Sequence, residues 1–199
     1  MEKRISRILT DYRETIKPLL SDIKVRNGGN LPNNFLNEIR ALNDHIARCH
    51  RPNIIQQDID AELTKAEGHL RRLVYDCFKQ LNIYISDTLV RKEKMFYSDL
   101  WLTHNDGDFW KEYSKNRKYA QIHVIEAKKA ESIDADQAMT LYEKAFQNYR
   151  HAENLLIENK RMLQKSFLFR LLHKINHFWW WLLITVVLSA ISAIIGIFW

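Results

Sequence analysis

The chain has 199 residues, of which only five are glycine and three are proline, and its formal net charge is +6. Sheet proteins need turn residues at short intervals, so this scarcity argues against a sheet and predicts an all-α fold. The charge is local, because residues 1–158 carry 25 Lys and Arg against 24 Asp and Glu, whereas residues 159–199 carry five cations and no acid. The basic composition is therefore not a nucleic-acid signal for the whole chain.

The thiols and the first residues indicate a cytosolic location for most of the chain. Cys49 and Cys77 fit no metal-ligand or redox spacing, and residues 1–10 are not followed by the apolar stretch of a signal peptide. Two isolated thiols in helical segments are most simply buried and reduced.

Apolar residues at helical spacing predict a bundle of about five helices before residue 160. These helices cover about residues 2–25, 32–49, 58–102 and 108–130, and a fifth begins near residue 134. Pro18 is expected to kink or split the first helix. The turn at residues 105–107 separates the third from the fourth, and Ser132 or Asp134 is expected to cap the fifth. The third helix has one apolar stripe, formed by Ile59, Leu63, Ala66, Leu70, Leu73, Cys77, Leu81, Tyr84 and Thr88.

The fifth helix has a heptad pattern whose seam holds small and polar residues such as Ala145 and Asn148. This seam is too weak for a leucine zipper and favours packing inside a bundle. No Gly or Pro occurs between Glu131 and Ile195, so the pattern allows one helix from the soluble bundle into a membrane.

The segment after the bundle (residues 1–160) mixes cations with apolar side chains. Residues 161–177 read as a basic juxtamembrane amphipathic helix, in which Lys165, Arg170 and Lys174 are expected at the lipid headgroups.

Residues 178–199 contain no charge and would form a helix about 33 Å long, which matches a hydrocarbon core of about 30 Å. The alternative is a buried core helix. Tryptophans at both ends suit the two membrane interfaces: Trp179, Trp180, Trp181 and Trp199. Because the cations precede the span, the positive-inside rule predicts a cytoplasmic N-terminal domain and a C-terminus outside.

Small and hydroxyl residues share one stripe of the span, at Thr185, Ser189, Ser192 and Gly196. In lipid, such residues mark surfaces where helices approach closely. The stripe therefore predicts a seam between copies of the chain or the wall of a narrow pore. Alternatively, the hydroxyls bond only to carbonyls of their own helix.

Two basic stretches are candidates for binding an anionic ligand. The first combines the end of the second helix with the third helix, at Arg48, Arg51, Arg71 and Arg72. The second alternates cations with aromatic residues, at Lys115, Arg117 and Lys118. Phosphates bind such cations, and bases stack on such rings. The alternative is a solvated helical face whose aromatic residues belong to the core.

Arg40 and His45 match the Arg-x4-His spacing of the HEPN ribonucleases, which pair such motifs across a dimer. The family usually has a polar residue after the arginine, whereas this chain has Ala41. The resemblance implies that Arg40 would bind the scissile phosphate and that His45 would transfer a proton. The alternative is a surface ion pair of Arg40 with Asp44. No metal site, cofactor motif, phosphate-binding glycine loop or activated nucleophile stands out, so we expect no enzyme.

The sequence combines four features: an all-helical cytoplasmic domain, a terminal span with a small-residue seam, candidate ligand cations and the lack of an enzyme motif. Over the whole chain this layout resembles the small membrane effectors of bacterial antiphage defence, and among them the channel subunit of the Hailong system. The resemblance implies a homo-oligomeric, tetramer-like ion channel in the inner (cell) membrane. Its cytoplasmic domain would bind a single-stranded oligonucleotide or a nucleotide second messenger, and its opening would depolarise the cell. The alternatives are a membrane-tethered HEPN-like ribonuclease and a tail-anchored adaptor or scaffold.

Overall fold

The computed structural model describes the backbone of residues 1–198 and the side chains of residues 1–189. Helices make up 88% of the chain, and no strand occurs in this described part, so the all-α prediction is confirmed. The elements are α1 (Glu2–Asp11), a π-helical turn (Tyr12–Ile16), α2 (Lys17–Arg26), α3 (Asn33–Arg48), α4 (Gln56–Phe96), α5 (Leu100–Thr103), a 3-10 turn (His104–Gly107), α6 (Asp108–Ala130), α7 (Ala135–Glu158) and α8 (Lys160–Phe198).

The chain divides into two compact units. Unit 1 comprises Met1–Thr88 and Asn116–His151, and unit 2 comprises Leu89–Lys115 and Ala152–Trp199. The core of unit 1 is a cluster of aliphatic and aromatic side chains from α1 to α4, including Ile23, Phe35 and Leu63. Each such side chain contributes about 1.5–3 kcal/mol through its removal from water.

The first predicted helix is interrupted where proline was expected to disturb it. The π turn ends at Ile16, and Pro18 lies in the first turn of α2. Proline has no N–H and its ring clashes with the carbonyl four residues earlier. Widening the helix by one residue before the proline accommodates both defects.

The third predicted helix extends to about residue 102, whereas α4 ends at Phe96. The predicted end of this helix is therefore wrong. Trp101 is fully buried, and its ring meets those of Phe109 and Tyr113 at centroid distances of 5.4 and 5.5 Å. The chain leaves the helix to bury this ring, which is the centre of the aromatic core of unit 2. Aromatic burial and edge-to-face contacts outweigh the few helical hydrogen bonds that are lost.

Two local signals were read correctly. Asn105, Asp106 and Gly107 have positive φ angles of 50°, 54° and 86°, as their predicted turn requires. Asp134 caps α7, because its Oδ1 accepts the backbone N–H of Asp136 at 2.9 Å and of Gln137 at 3.0 Å. Of the two residues predicted as caps, Asp134 is therefore the one that caps α7.

Helices α7 and α8 follow each other with only Asn159 between them. The backbone N–H of Asn159 donates to the carbonyl of Leu155 at 3.1 Å, and the N–H of Leu163 donates to the carbonyl of Asn159 at 3.2 Å. The helical hydrogen bonds therefore continue across the junction. The side-chain amide of Asn159 also donates to the Leu155 carbonyl, at 2.8 Å, and this competition explains the local distortion.

Among the described residues, one stretch is long and apolar enough to cross a bilayer by its length and composition, Lys160–Ser189 of α8. Its most apolar window of 18 residues has no buried residue. A core helix of a soluble protein would be mostly buried, so the chain does not bury this window of 18 residues in its own core. An exposed apolar surface of this length is consistent with membrane association.

Candidate ligand site and membrane helix

Most of the cations of α3 and α4 that were predicted to bind a ligand form ion pairs with carboxylates. Three arginines have ion pairs: Arg48 with Asp44, Arg71 with Asp136, and Arg72 with Glu38. The fourth, Arg51, is exposed in the loop after α3. An anionic ligand at this surface would have to displace carboxylates that already neutralise these guanidinium groups, and its net gain would be correspondingly small.

Two histidine–glutamate pairs join α3 to α4. The Nδ1 of His45 lies 2.7 Å from Oε2 of Glu62, and the Nδ1 of His69 lies 2.7 Å from Oε2 of Glu38. Between the pairs the two imidazole rings stack, with centroids 5.1 Å apart and planes 21° apart. On each helix the glutamate and histidine are seven residues apart, about two turns, so antiparallel packing brings each histidine to the glutamate of the other helix.

Glu62 is stabilised as a carboxylate by two neighbouring side chains. Hydrogen bonds from His45 and from the Lys65 ammonium, which lies 2.8 Å away, lower the pKa of Glu62 to about 2. When a carboxylate holds Nδ1, the Nε2 of the ring is the nitrogen available for a proton transfer. The described part of the chain contains no group of three or more His, Cys, Asp or Glu placed to hold one metal ion.

Arg40 and His45 do not form a site within one chain. Arg40 is exposed, whereas His45 is mostly buried against Glu62. Five residues along a helix correspond to a rotation of about 140°, so the two side chains leave α3 in different directions. A ribonuclease centre of the HEPN kind would therefore need residues of a second copy.

The second basic stretch lies on α6, and its aromatic residues are largely core. Tyr113 is fully buried and its hydroxyl donates to Oε1 of Glu93 at 2.7 Å, and Trp110 is half-buried. Of the rings in this stretch, Tyr119 is exposed. This arrangement favours the interpretation in which most of these rings serve packing rather than base stacking.

The cations of this stretch differ in exposure. Lys115 and Lys118 are exposed, and Arg117 is half-buried. Neither lysine pairs with a carboxylate in the described part of the chain, in contrast to the arginines of α3 and α4. The α6 lysines are therefore the more accessible cations for a phosphate.

The hydroxyl residues of the predicted seam bond within their own helix. Thr185 Oγ1 donates to the carbonyl of Trp181 at 2.9 Å, and Ser189 Oγ donates to the carbonyl of Thr185 at 2.8 Å. Such bonds satisfy the hydroxyls without a second helix, and they leave the small side chains on the surface. The predictions at Ser192, Gly196 and Trp199 lie outside the residues whose side chains are described.

The predicted interface residues lie on the exposed part of α8. Trp179, Trp180 and Trp181 are all more than half exposed. Among the cations, Lys165 and Lys174 are exposed, and Arg170 Nη1 donates to the backbone carbonyl of Lys94 at 2.6 Å. Arg170 therefore also caps a carbonyl near the end of α4, a role that the sequence did not indicate.

The histidine–glutamate pairs were missed by sequence reasoning. Their signal is a repeated Glu-x6-His spacing, at Glu38 to His45 and at Glu62 to His69, which only antiparallel packing turns into contacts. No protein-family model matches the chain, and neither a curated protein nor a solved structure matches it.

Proposed function

We propose that the protein is a membrane effector in which a cytoplasmic helical bundle binds an anionic nucleotide or oligonucleotide and controls an ion pathway formed by several copies of α8. Ion flow through this pathway would depolarise the cell, as in antiphage defence. The observation that carries the proposal is the continuity of α8. Its first turns bury Met162, Leu163 and Ser166, and the same helix then continues with exposed, mostly apolar side chains as far as they are described, to Ser189.

A continuous helix transmits rotation and translation from one end to the other, because its backbone hydrogen bonds resist bending and unwinding. Repacking of the buried first turns would thus turn the exposed part of α8. In an oligomer, this turn would move the stripe of Thr185 and Ser189 toward or away from the centre. A ligand shifts such an equilibrium only through its different affinity for the two states.

The charges flanking the span support a cytoplasmic bundle. Five cations and no acid precede the uncharged segment: Lys160, Arg161, Lys165, Arg170 and Lys174. Positively charged flanks stay on the cytoplasmic side of membranes, and the exposed tryptophans suit the headgroup level. For an anionic ligand, Lys115 and Lys118 offer the more accessible charge, since they are exposed and pair with no carboxylate among the described residues.

An insertion series between Lys174 and Ile175 tests the proposal. Two alanines rotate the span by about 200° and lengthen the helix by about 3 Å, whereas four rotate it by only about 40° and lengthen it by about 6 Å. We expect two alanines to abolish depolarisation of expressing cells and four to preserve it. If both variants behave alike at equal membrane abundance, α8 does not transmit rotation.

Two further variants separate a pore from an anchor. Ser189→Leu combined with Ser192→Leu is expected to abolish the conductance, because bulky side chains fill a narrow lumen. Replacement of the whole span by an unrelated apolar helix should do the same. An adaptor or scaffold would tolerate both changes, so unaltered membrane potential responses with either variant would favour the adaptor.

The pair of His45 with Glu62 favours a ribonuclease as the second candidate, because a carboxylate-bound histidine suits proton transfer. Arg40→Ala and His45→Ala should then abolish RNA cleavage by the purified protein and leave membrane potential unchanged. If the protein is a channel and not a ribonuclease, the purified unaltered protein should cleave no RNA.

A further inference from the structure

A cleft of about 220 Å³ lies in unit 2, where the last turn of α4 packs against α8. Two contacts join the helices there. The rings of Phe96 and Phe167 meet edge to face at a centroid distance of 6.1 Å, and Arg170 donates to the carbonyl of Lys94. The lining residues come from both helices: Lys94, Met95, Phe167, Arg170, Leu171 and Lys174. The fold thus brings the end of α4 to the segment that directly precedes the uncharged span.

The cations of this cleft are not neutralised by acidic side chains. Lys94 and Lys174 are exposed and pair with no carboxylate in the described part of the chain. Arg170 gives one N–H to the Lys94 carbonyl, and its guanidinium group has further donors. No carboxylate is among the described residues that line the cleft. Three positive charges therefore share one surface, which favours an anion there.

The apolar walls of the cleft are accessible from outside the protein. The side chains of Met95, Phe167 and Leu171 are 56%, 41% and 44% exposed. Counted from Phe167, the lining residues of α8 lie at positions i, i+3, i+4 and i+7, so they share one face of the helix. A small hydrophilic anion would leave these apolar side chains in water. An amphiphile with an anionic head covers them as well.

The position of the cleft along α8 suits the headgroup layer of a membrane. Lys174 precedes Phe178, the first residue of the uncharged span, by four residues, or about 6 Å along the helix. The headgroup layer is about 5–8 Å thick on each side of the hydrocarbon core. Lysine side chains extend toward this layer while their aliphatic stems cover apolar surface. In the cytoplasmic orientation proposed above, the anionic lipids lie on this side of the membrane.

We propose that this cleft binds one anionic phospholipid, whose phosphate lies between Lys94 and Lys174. The glycerol backbone and the first part of the acyl chains contact Met95 and Leu171, and the chains continue along α8 into the bilayer. The occupant is a whole lipid rather than a free phosphate, because the apolar walls contribute to its binding. The site rests on the membrane insertion of α8 proposed above, but it does not depend on an ion pathway.

A defined cleft differs from the general attraction of basic residues to headgroups that the sequence predicts. That attraction includes Lys165 and involves no residue of α4. In the structure, Lys165 is nine residues from Lys174, which corresponds to a rotation of about 180°, and it lines a different cleft. The lipid site therefore includes Lys94 and excludes Lys165.

Native mass spectrometry of the full chain in a nonionic detergent tests the site with two lipids of equal acyl chains. Dioleoyl phosphatidylglycerol carries one negative charge, whereas dioleoyl phosphatidylcholine has no net charge. One cation near an anionic headgroup contributes about fivefold in affinity. With more than one such cation at the cleft, we expect the first phosphatidylglycerol per chain to bind at least about tenfold more tightly than phosphatidylcholine. Excess inorganic phosphate should not displace it.

Matched variants separate the cleft from general electrostatic attraction. Lys94→Gln should reduce the preference for phosphatidylglycerol about fivefold, and Lys94→Arg should retain it. Lys92→Gln removes the same charge about 200° around α4, outside the cleft, and should leave the preference unchanged. The same contrast is expected between Lys174→Gln and Lys165→Gln on α8. Met95→Gln should weaken both lipids and keep their ratio, since it changes only the apolar wall.

The possible failures of this experiment differ in meaning. Equal affinity for the two lipids would overturn the lipid site and leave the insertion of α8 intact. Equal effects of Lys94→Gln and Lys92→Gln at unchanged melting temperatures would also overturn it, as would displacement by inorganic phosphate. Absence of binding by both lipids would contradict the insertion of α8 as well. Because no ion flow is measured, the result is independent of the depolarisation experiments.

Discussion

Replacing Tyr142 by phenylalanine removes one hydroxyl group from a network at the turn between α6 and α7. The Tyr142 hydroxyl donates to Oε1 of Glu131 at 2.5 Å, and the Lys79 ammonium lies 2.9 Å from the same oxygen. These bonds, with the one from Tyr142 as the largest contribution, lower the pKa of Glu131. The ring of Tyr142 is 2% exposed, so phenylalanine keeps its packing and loses only the donor.

The expected loss follows from the kind of bond and its surroundings. A hydrogen bond to a charged group contributes about 1.5–3 kcal/mol. The Glu131 side chain is 33% exposed and keeps its lysine, which places the loss near the lower end of that range. A loss of about 1.5 kcal/mol corresponds to a melting temperature lower by about 3–6 °C for a domain of this size.

Thermal unfolding in detergent, followed by circular dichroism at pH 7, measures this difference. Tyr149→Phe is the matched control on the same helix, because the Tyr149 ring is also buried and its hydroxyl bonds to no described residue. We expect that control to change stability by less than about 0.5 kcal/mol. Equal melting temperatures for the two variants would refute the assigned role of the Tyr142 hydroxyl.

Acidification provides a second check with a definite sign. A carboxylate whose folded pKa is lowered contributes stability that is complete above its ordinary pKa of 4.5 and is lost as the pH falls through the lower folded value. The difference between the unaltered protein and Tyr142→Phe should therefore narrow below pH 4.5. A difference that stays constant down to pH 2 would show that the hydroxyl acts on something other than the ionised Glu131.

Three further predictions concern the rest of unit 1. Because the pKa of Glu62 is lowered to about 2, Glu62→Gln should flatten the rise in melting temperature between pH 2 and pH 4.5. Asp134→Ala should lower the free energy of unfolding by about 1 kcal/mol through loss of the α7 cap, and Ser132→Ala should have little effect in the same denaturant titration. Burial raises the pKa of Cys77 to about 12 and raises that of Cys49, so a maleimide at pH 7 should label both only after denaturation.

Local signals in the sequence were sufficient for most element boundaries. Pro18, the turn at residues 105–107 and the Asp134 cap act within a few residues of their own position, so their effect can be read without knowing the fold. The end of α4 could not be read in this way. It depends on Trp101 packing against Phe109 and Tyr113, which are brought together only by the folded chain.

The same distinction separates the charges that could be foreseen from those that could not. The pair of Arg48 with Asp44 spans four residues of one helix and is visible in the sequence. The pair of Arg71 with Asp136 joins residues far apart along the chain, so it cannot be recognised from a basic cluster counted along the sequence. Counting cations therefore overstated the charge available to a ligand at α3 and α4.

Asn82 was overlooked because sequence analysis gave α4 a single apolar stripe, whereas the helix is buried on two. The second stripe contains Phe78, Asn82 and Ile85, all buried, at helical spacings of four and three residues. An amide in such a stripe must find partners from other elements, and α7 supplies only one, the carbonyl of Tyr142. The amide oxygen, Oδ1, has no partner among the described residues, whereas a helix with one buried face would have left it in water. The unmatched acceptor is thus a consequence of packing α4 on two sides, because a polar side chain enclosed by other helices depends on them for every partner.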